Sequence, residues 1–489
     1  EGGSRAFMAA YNSWNGIPMS IHPCLEEITR KQWGNNGIIC TDGGALKLLI
    51  EAHKSFPSFA EGAAAVVKAT TGQFLDAYVP YVKEALEKGL LTEVDIDKAI
   101  RGNIFVALKL GLLDGDNSRN PYLSIGKNST ETPPFMTAEA RRLAREVTAK
   151  SVVLLKNKKL LPLDAGKLRK IAIIGPYSDK IVQDWYSGTP PYETTILSGI
   201  RNAVKEGTEI IHAEDNRMGQ AEKAAAAADV AIVCVGNHPY GTRADWKFSP
   251  VPSDGREAVD RKSLMLPDED LVKLVLKANP NTILVLVSSF PYTINWSQEH
   301  VPAIVHITHC SQEQGNGLAD VLFGKVNPAG RTVQTWVKDI TDLPDIMDYD
   351  IRNGRTYMYH QGPVLYPFGY GLSYSDFAYE KIESFKQDKK NIRVTVSVKN
   401  TSGRDGEEVV QLYASYPDSK VERPSKQLRA FKRIPIKAGE SREVTLTVPK
   451  EELGYWNEEK QMFVVEPGTV KLLIGASSED IRLEGKVKL

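Results

Sequence analysis

The spacing of hydrophobic and polar residues changes twice along the 489-residue chain and divides it into three regions. Residues 1–120 mix short apolar runs with amphipathic helical segments. Residues 137–335 alternate β-branched runs with helices, a pattern typical of a buried, mostly parallel sheet with right-handed crossovers. Residues 389–489 alternate polar and apolar side chains between turn signals, which predicts a small antiparallel β-sandwich. Segments rich in glycine and proline, 121–136 and 336–388, are predicted to link or wrap these domains.

The same patterns predict individual elements. The predicted strands are residues 7–12, 38–42, 69–76, 170–175, 230–236, 282–289, 303–309, 392–398 and 442–448. The predicted helices include residues 61–68, 95–110, 220–228 and 268–278.

Composition excludes several classes of function. Lysine plus arginine and aspartate plus glutamate each number 61, so a polyanionic partner such as nucleic acid is not expected. The longest apolar runs, such as residues 282–287, are far shorter than the roughly 20 residues that a membrane helix needs. The four cysteines lack metal-site spacing, and Cys40 and Cys234 lie in apolar runs, so we expect free thiols, no metal and no cofactor.

One carboxylate stands at the end of a predicted strand. Asp42 follows an apolar run and precedes Gly43 and Gly44, so it is predicted to lie at the carboxyl end of a parallel strand. In α/β barrels and doubly wound sheets, that edge carries the functional groups. The alternative is that Asp42 caps the helix predicted over residues 46–52.

A second carboxylate, Glu257, lies in the polar loop 252–261 of the second region, after a predicted strand. The loop could instead be an ordinary solvated surface segment. Aromatic residues precede it and suit sugar binding, because sugar C–H faces stack on rings, although the rings could equally be core packing. These aromatic residues are Trp185, Tyr186, His238, Tyr240 and Trp246.

Six segments, in order along the chain, together resemble family 3 glycoside hydrolases. They are residues 8–18 (MAAYNSWNGIP), 38–45 (IICTDGGA), 257–267 (EAVDR followed by Leu266-Pro267), 312–324 (QEQGNGLADVLFG), 366–374 (YPFGYGLSY) and 470–481. The resemblance implies a multidomain α/β protein in which residues 1–120 form the last three strands of a (β/α)8 TIM barrel. It further implies an α/β sandwich over 137–335 and a fibronectin-III-like domain over 389–489.

The resemblance also implies a chemistry, that of a retaining exo-β-glycosidase. Asp42 would be the nucleophile and Glu257 the acid/base, the pair of carboxyl groups that double displacement requires. Tyr11 matches a position beside the nucleophile, or is a core tyrosine at a strand end. Met8 and Trp185 complete the implied substrate-binding set.

Two features depart from the family pattern. Many relatives carry a tryptophan directly after the nucleophile, where this chain has Gly43. A barrel needs eight βα units, and there is room for about three before residue 121. We therefore expect the rest of the barrel to be cleaved, held on a second polypeptide or incompletely represented, and expect the isolated chain to be inactive or feeble.

The leading hypothesis is a β-glucosidase acting on a β-linked oligosaccharide or an aryl or alkyl β-glycoside. A β-xylosidase or another exo-β-glycosidase is the nearest alternative, and a non-catalytic carbohydrate-binding fragment is an alternative of another class. A nucleotide-binding protein is disfavoured, because Pro176-Tyr177-Ser178 stands where a glycine-rich phosphate loop would follow the strand. The resemblance favours a periplasmic or secreted location and allows a homodimer.

Overall fold

The computed structural model describes residues 2–115, 120, 125, 127, 132–182, 190–237, 261–309 and 311–489. The chain divides into two compact units, residues 1–131 and 132–489. Among the described residues, no helix combines the length and the apolar character that a membrane span requires.

The first unit is built around two parallel strands. Strand β1 (Ala6–Ala9) pairs with β4 (Ile38–Thr41), and a short hairpin of β2 (Ser13–Trp14) and β3 (Ile17–Pro18) lies between them in sequence. A π-helical segment, Leu25–Gln32, precedes β4. The helices that follow are α1 (Ala45–Glu51), α2 (Phe59–Lys68), α3 (Val79–Glu87) and α4 (Glu93–Lys109).

Capping side chains explain why two helices begin earlier than the apolar pattern indicated. Ser58 accepts a hydrogen bond from the Glu61 N–H, so α2 begins at Phe59. Thr92 and Asp95 form a reciprocal capping box, so α4 begins at Glu93.

The strand predicted over residues 69–76 is wrong. That segment forms only an isolated parallel bridge between Cys40 and Gln73. The N–H groups of Gly72 and Gln73 both donate to the Ile39 carbonyl, and the segment does not continue as an extended ladder along β4. The described first unit therefore contains two parallel strands and a bridge, and the partial barrel stays a prediction.

The second unit begins with a six-stranded sheet of order β5-β10-β9-β8-β6-β7. Its strands are β5 (Val153–Asn157), β6 (Lys170–Ile174), β7 (Glu209–Ala213), β8 (Val230–Gly236), β9 (Thr282–Val287) and β10 (Ala303–Ile307). The helices are α5 (Ala138–Ser151), α6 (Ile196–Ala203), α7 (Gln220–Ala226), α8 (Glu269–Ala278), α9 (Asn295–His300) and α10 (Gln314–Leu322).

All pairings in this sheet are parallel except that of the edge strand β5. Alternate residues of β8 and β9 point to two separate apolar clusters, one on each face of the sheet. Both strands are buried throughout, which explains their near-continuous apolar sequences. The predicted mostly parallel α/β sandwich is confirmed.

A segment rich in aromatic residues connects the sheet to the C-terminal sandwich. It contains β11 (Trp336–Val337), the short helix α11 (Thr356–Tyr359) and β12 (Val364–Tyr366), with β11 and β12 paired antiparallel. Trp336 and Tyr366 are buried against the sheet.

The C-terminal sandwich packs a three-stranded sheet, β13-β14-β17, against a four-stranded sheet, β16-β15-β20-β21. The strands are β13 (Phe377–Gln387), β14 (Asn391–Asn400), β15 (Gly406–Ser415), β16 (Gln427–Ile436), β17 (Ser441–Pro449), β20 (Thr469–Gly475) and β21 (Ile481–Lys488), with a hairpin of β18 (Tyr455–Asn457) and β19 (Met462–Val464). The sandwich begins at Phe377, inside the segment interpreted as a linker, because β13 pairs along β14.

Candidate active site

The predicted nucleophile, Asp42, directly follows β4. Met8 and Ala9 of β1 lie opposite Cys40 and Thr41 of β4. Because the two strands are parallel, their carboxyl ends lie at the same edge of the pair. Met8, Tyr11 and Asp42 are therefore presented at one edge, as the sequence indicated.

A hydrogen bond joins Tyr11 to the turn that carries Asp42. The Tyr11 hydroxyl donates to the Gly43 carbonyl at 2.5 Å, and His53 Nε2 donates to the Tyr11 carbonyl at 2.9 Å. Tyr11 keeps 37% of its surface exposed and Met8 57%, so neither is a core residue. The alternative interpretation, that Tyr11 is buried in the core, is wrong, because its side chain is exposed among the described residues.

The residue that caps α1 is Asp76, not Asp42. Asp76 Oδ1 accepts from the Gly44 N–H at 2.5 Å, and Oδ2 accepts from the Leu46 N–H at 3.4 Å. Gly44, the N-cap residue of α1, has a φ of 79°, a left-handed conformation that favours glycine. The capping role that competed with catalysis for Asp42 therefore belongs to another side chain.

The Asp42 carboxylate is partly buried and makes few contacts that stabilise the fold. Within the described residues, its one side-chain hydrogen bond is the 2.7 Å contact in which Oδ1 accepts from the Gly43 N–H. Nothing described lies within 4 Å of where a Cβ would sit on Gly43. The carboxylate thus stands beside an open position.

Charges at this edge affect neighbouring groups. Burial raises the pKa of the Cys40 thiol, and the negative charge of Asp42 raises it further. Burial, followed by the charge of Asp76, raises the pKa of the Tyr78 hydroxyl. Cys40 and Tyr78 therefore stay neutral at neutral pH, and neither supplies a compensating charge to the carboxylates.

Glu257 and Trp185 lie outside the described residues, as do Tyr186, His238, Tyr240 and Trp246. The residues that flank segment 238–260 are described. Asn237 precedes it: its N–H donates to the Val287 carbonyl at 3.1 Å, and its Oδ1 accepts from the Ser289 N–H at 3.2 Å. His309 Nε2 donates to the Asn237 carbonyl at 2.8 Å.

Arg261 follows the same segment and rests on aromatic rings. Its guanidinium lies 3.7 Å from the ring centre of Phe290 and 4.9 Å from that of Tyr292, and Nη1 donates to the Pro291 carbonyl at 3.0 Å. Asn237 and Arg261, the residues that flank segment 238–260, are therefore both hydrogen-bonded to residues 287–292, at the end of β9 and just after it. Sequence reasoning missed this anchor, although Phe290-Pro291-Tyr292 is an aromatic signal in the sequence.

The described residues contain no group of three or more histidine, cysteine, aspartate or glutamate side chains arranged to hold a metal ion. Cys24, Cys40 and Cys234 are free thiols, with Cys234 buried as expected. Met8, Tyr11 and Asp42 are the predicted site residues that the structure brings to one edge.

Comparison with family models gives three matches along the chain. Residues 1–102 match the glycosyl hydrolase family 3 N terminal domain. Residues 152–374 match the glycosyl hydrolase family 3 C-terminal domain, and residues 408–478 match a fibronectin type III-like domain.

Individual proteins resemble the chain over nearly its whole length. A periplasmic beta-glucosidase of Salmonella typhimurium is 30% identical, covering 99% of this chain and 67% of that protein. A beta-xylosidase of Formosa agariphila is 29% identical, covering 98% of this chain and 68% of that protein.

A solved structure is also similar. The beta-glucosidase from Listeria innocua in complex with isofagomine has a TM-score of 0.83 and 26% identity, covering 99% of this chain and 68% of that one. The chain spans about two thirds of the length of each of these three proteins. With matches to both family domains in order and 30% identity along the chain, the protein belongs to glycosyl hydrolase family 3.

Proposed function

We propose that the protein is a retaining exo-β-glycosidase that releases terminal β-D-glucosyl residues. The observation that carries the proposal is the position of Asp42, a partly buried carboxylate at the carboxyl end of a parallel strand, in the turn to which Tyr11 is hydrogen-bonded. The alternative role of Asp42 as a helix cap is taken by Asp76. The names of the relatives, beta-glucosidase and beta-xylosidase, support an exo-acting enzyme on β-glycosides.

In the proposed mechanism, Asp42 attacks the anomeric carbon and forms a covalent glycosyl-enzyme. Glu257 protonates the departing oxygen and then removes a proton from the water that attacks this intermediate. The hydrogen bond from Tyr11 to the Gly43 carbonyl fixes the turn, and with it the direction of the attacking carboxylate. Met8 and Trp185 are proposed to contact the sugar, Trp185 on the leaving-group side.

Substrate preference follows from the same edge of the site. Relatives with a tryptophan after the nucleophile have a wall that Gly43 does not provide, and the open space around Gly43 allows a bulky leaving group. Glucose is preferred over xylose in this proposal, and a periplasmic location is proposed from the name of the Salmonella protein.

The test is hydrolysis of paired chromogenic substrates, an aryl β-glucoside and an aryl β-xyloside, by the full-length enzyme with a complete barrel. Asp42→Asn is expected to lower kcat by about 10⁴-fold or more, because it removes the nucleophile. Glu257→Ala is expected to retain glycosylation of substrates with good leaving groups and to be rescued by azide, with formation of a β-glycosyl azide. Asp97→Asn, at an exposed carboxylate on α4, is the control and is expected to leave turnover unchanged.

Unchanged turnover in Asp42→Asn would overturn the assignment of the nucleophile. Faster hydrolysis of the xyloside would instead establish the β-xylosidase alternative. Inverted stereochemistry of the released sugar, read by proton NMR, would exclude double displacement.

A further inference from the structure

A groove on the C-terminal sandwich has the features of a second sugar-binding site. It has a volume of about 710 Å³, within the range of about 300–1,000 Å³ common for ligand pockets. We call it the strap groove. The residues that define it are Tyr359 of α11, Arg423 before β16, Arg429 of β16, and Tyr455 and Phe463 of the β18–β19 hairpin. All of these residues belong to the second unit.

Phe463, which lines one wall of the strap groove, presents its aromatic ring to solvent beside a second ring outside the lining. Phe463 is 67% exposed and Trp456, on the facing strand of the same hairpin, is 47% exposed. Their ring centres lie 5.4 Å apart in an edge-to-face arrangement, which fixes both rings. Large exposed aromatic groups of this kind mark binding surfaces, because water contact with them is unfavourable.

The floor holds guanidinium groups in fixed positions. Arg423 lies 3.6 Å from the ring centre of Tyr416 and 5.6 Å from that of Tyr455, and its Nη2 donates to the Leu453 carbonyl at 2.9 Å. Arg429 Nη2 donates to the Tyr416 hydroxyl at 3.3 Å. Because both side chains are already held, their planar donors are pre-organised for a ligand.

The opposite wall is pinned to the sandwich. The Met358 carbonyl accepts from the Ser425 N–H and from its hydroxyl, each at 3.0 Å. The Tyr357 hydroxyl accepts from the Leu428 N–H at 3.0 Å. The groove is therefore formed before a ligand arrives, so binding does not require this segment to order itself.

The mixture of charges selects the class of ligand. Glu422, Glu451 and Glu452 line the groove together with the two arginines, so it offers acceptors and donors without a large excess of either sign. A polyanion would meet three carboxylates and a polycation two guanidinium groups. A neutral chain with many hydroxyl groups and apolar C–H faces satisfies the rings, the donors and the acceptors together.

We propose that the strap groove binds a neutral β-linked oligosaccharide on the C-terminal sandwich. The choice of β-linked sugars rests on the proposed function. The ring of Phe463 stacks on a sugar face while the guanidinium and carboxylate groups bond to its hydroxyls. Such a site holds a polysaccharide fragment on the enzyme, which raises the local concentration of substrate.

The test measures binding of cellohexaose and xylohexaose by titration calorimetry to the full chain carrying Asp42→Asn, so that the ligand is not consumed. Phe463→Ala in that background is expected to weaken binding about tenfold, the effect of losing one ring contact. Phe431→Ala is the matched control, since Phe431 is 66% exposed on β16 of the same sandwich, and it should bind as the parent does.

Equal affinity of Phe463→Ala and its parent, or no binding of either hexasaccharide, would overturn the proposal. Binding of polygalacturonate in place of cellohexaose would also overturn it, as would self-association abolished by Phe463→Ala without sugar binding. Binding is measured in the absence of turnover, so it is read independently of hydrolysis. Failure of hydrolysis with Phe463-dependent binding would therefore refute the proposed function and leave the groove assignment standing.

Discussion

At the scale of single residues, two aspartates at the first unit's strand edge divide two jobs between them. The Asp76 carboxylate accepts from N–H groups at the start of α1, whereas the Asp42 carboxylate accepts a hydrogen bond only from the Gly43 N–H among the described residues. A carboxylate that is not bonded to the helix N–H groups is available to attack an electrophile.

These different roles predict that substituting Asp76 lowers the stability of the first unit more than substituting Asp42. Asp76→Ala should lower the free energy of unfolding of the first unit by about 1 kcal/mol, the usual cost of losing a cap. Asp42→Asn should change it by less than about 0.5 kcal/mol. Urea unfolding followed by circular dichroism measures both. A larger loss for Asp42→Asn than for Asp76→Ala would return the capping role to Asp42.

At the scale of elements, the carboxyl ends of β8, β9 and β10 form a connected polar edge. His306 of β10 donates from Nε2 to the Ser288 carbonyl at 3.0 Å, and its ring lies edge-on to Trp336 at 5.3 Å. His309, three residues further along the chain, donates from Nε2 to the Asn237 carbonyl. The packing of one strand end thus supports the residues that flank segment 238–260.

Because burial lowers the pKa of His306 to about 4, the folded state keeps this imidazole neutral where the unfolded chain, near 6.5, binds a proton. Stability should therefore fall as the pH drops from about 6.5 to about 4, by about 2 kcal/mol between pH 7.5 and pH 5. His306→Gln should remove this part of the pH dependence in urea titrations, whereas His300→Gln, at an exposed histidine, should retain it. An unchanged pH dependence in His306→Gln would contradict the account.

At the scale of the whole second unit, a buried ion pair joins the α/β sheet region to the sandwich. Arg331 Nη2 donates to Glu408 Oε1 of β15 at 3.1 Å, and the side chains are 9% and 5% exposed. The Tyr379 hydroxyl and the Val409 N–H donate to the same oxygen at 3.3 and 3.0 Å. A charge this deeply buried depends on its partner, because desolvation of a lone ion is costly.

Glu408→Gln should therefore destabilise the second unit by about 3 kcal/mol, since it leaves the Arg331 charge uncompensated. The matched control is Glu209→Gln, which removes the exposed pair with Lys170 at 2.8 Å and should cost less than about 0.5 kcal/mol. Thermal unfolding measures both variants. Equal melting temperatures of Glu408→Gln and Glu209→Gln would show that the buried Arg331–Glu408 pair contributes no more to stability than an exposed one.

The sequence predicted those elements in which local pattern and tertiary burial agree. The apolar runs of β8 and β9 are fully buried strands, and period-two alternation correctly indicated β14 and β17. It failed where tertiary contacts decide. The segment before Asp76 pairs with β4 at a single bridge only, and β13 carries charged residues on an exposed face that hid its alternation.

The candidate site shows the same division. Asp42, Tyr11 and Met8 were predicted as neighbours from strand ends and family resemblance, and the parallel register of β1 and β4 places them at one edge. Asp76 could not be predicted as the cap, because it reaches α1 from 30 residues away in sequence. Arg261 likewise acquires its role only through the rings that follow β9.

The most direct test of the central claim is to identify the residue that carries the glycosyl group. The full-length enzyme is treated with a 2-deoxy-2-fluoro-β-glucosyl donor bearing an activated leaving group, which allows glycosylation and slows release of the sugar. Peptide mass spectrometry then locates the label. The account predicts one fluoroglucosyl group on Asp42, absent from Asp42→Asn. A label on another carboxylate, or steady turnover of the donor by Asp42→Asn, would contradict it.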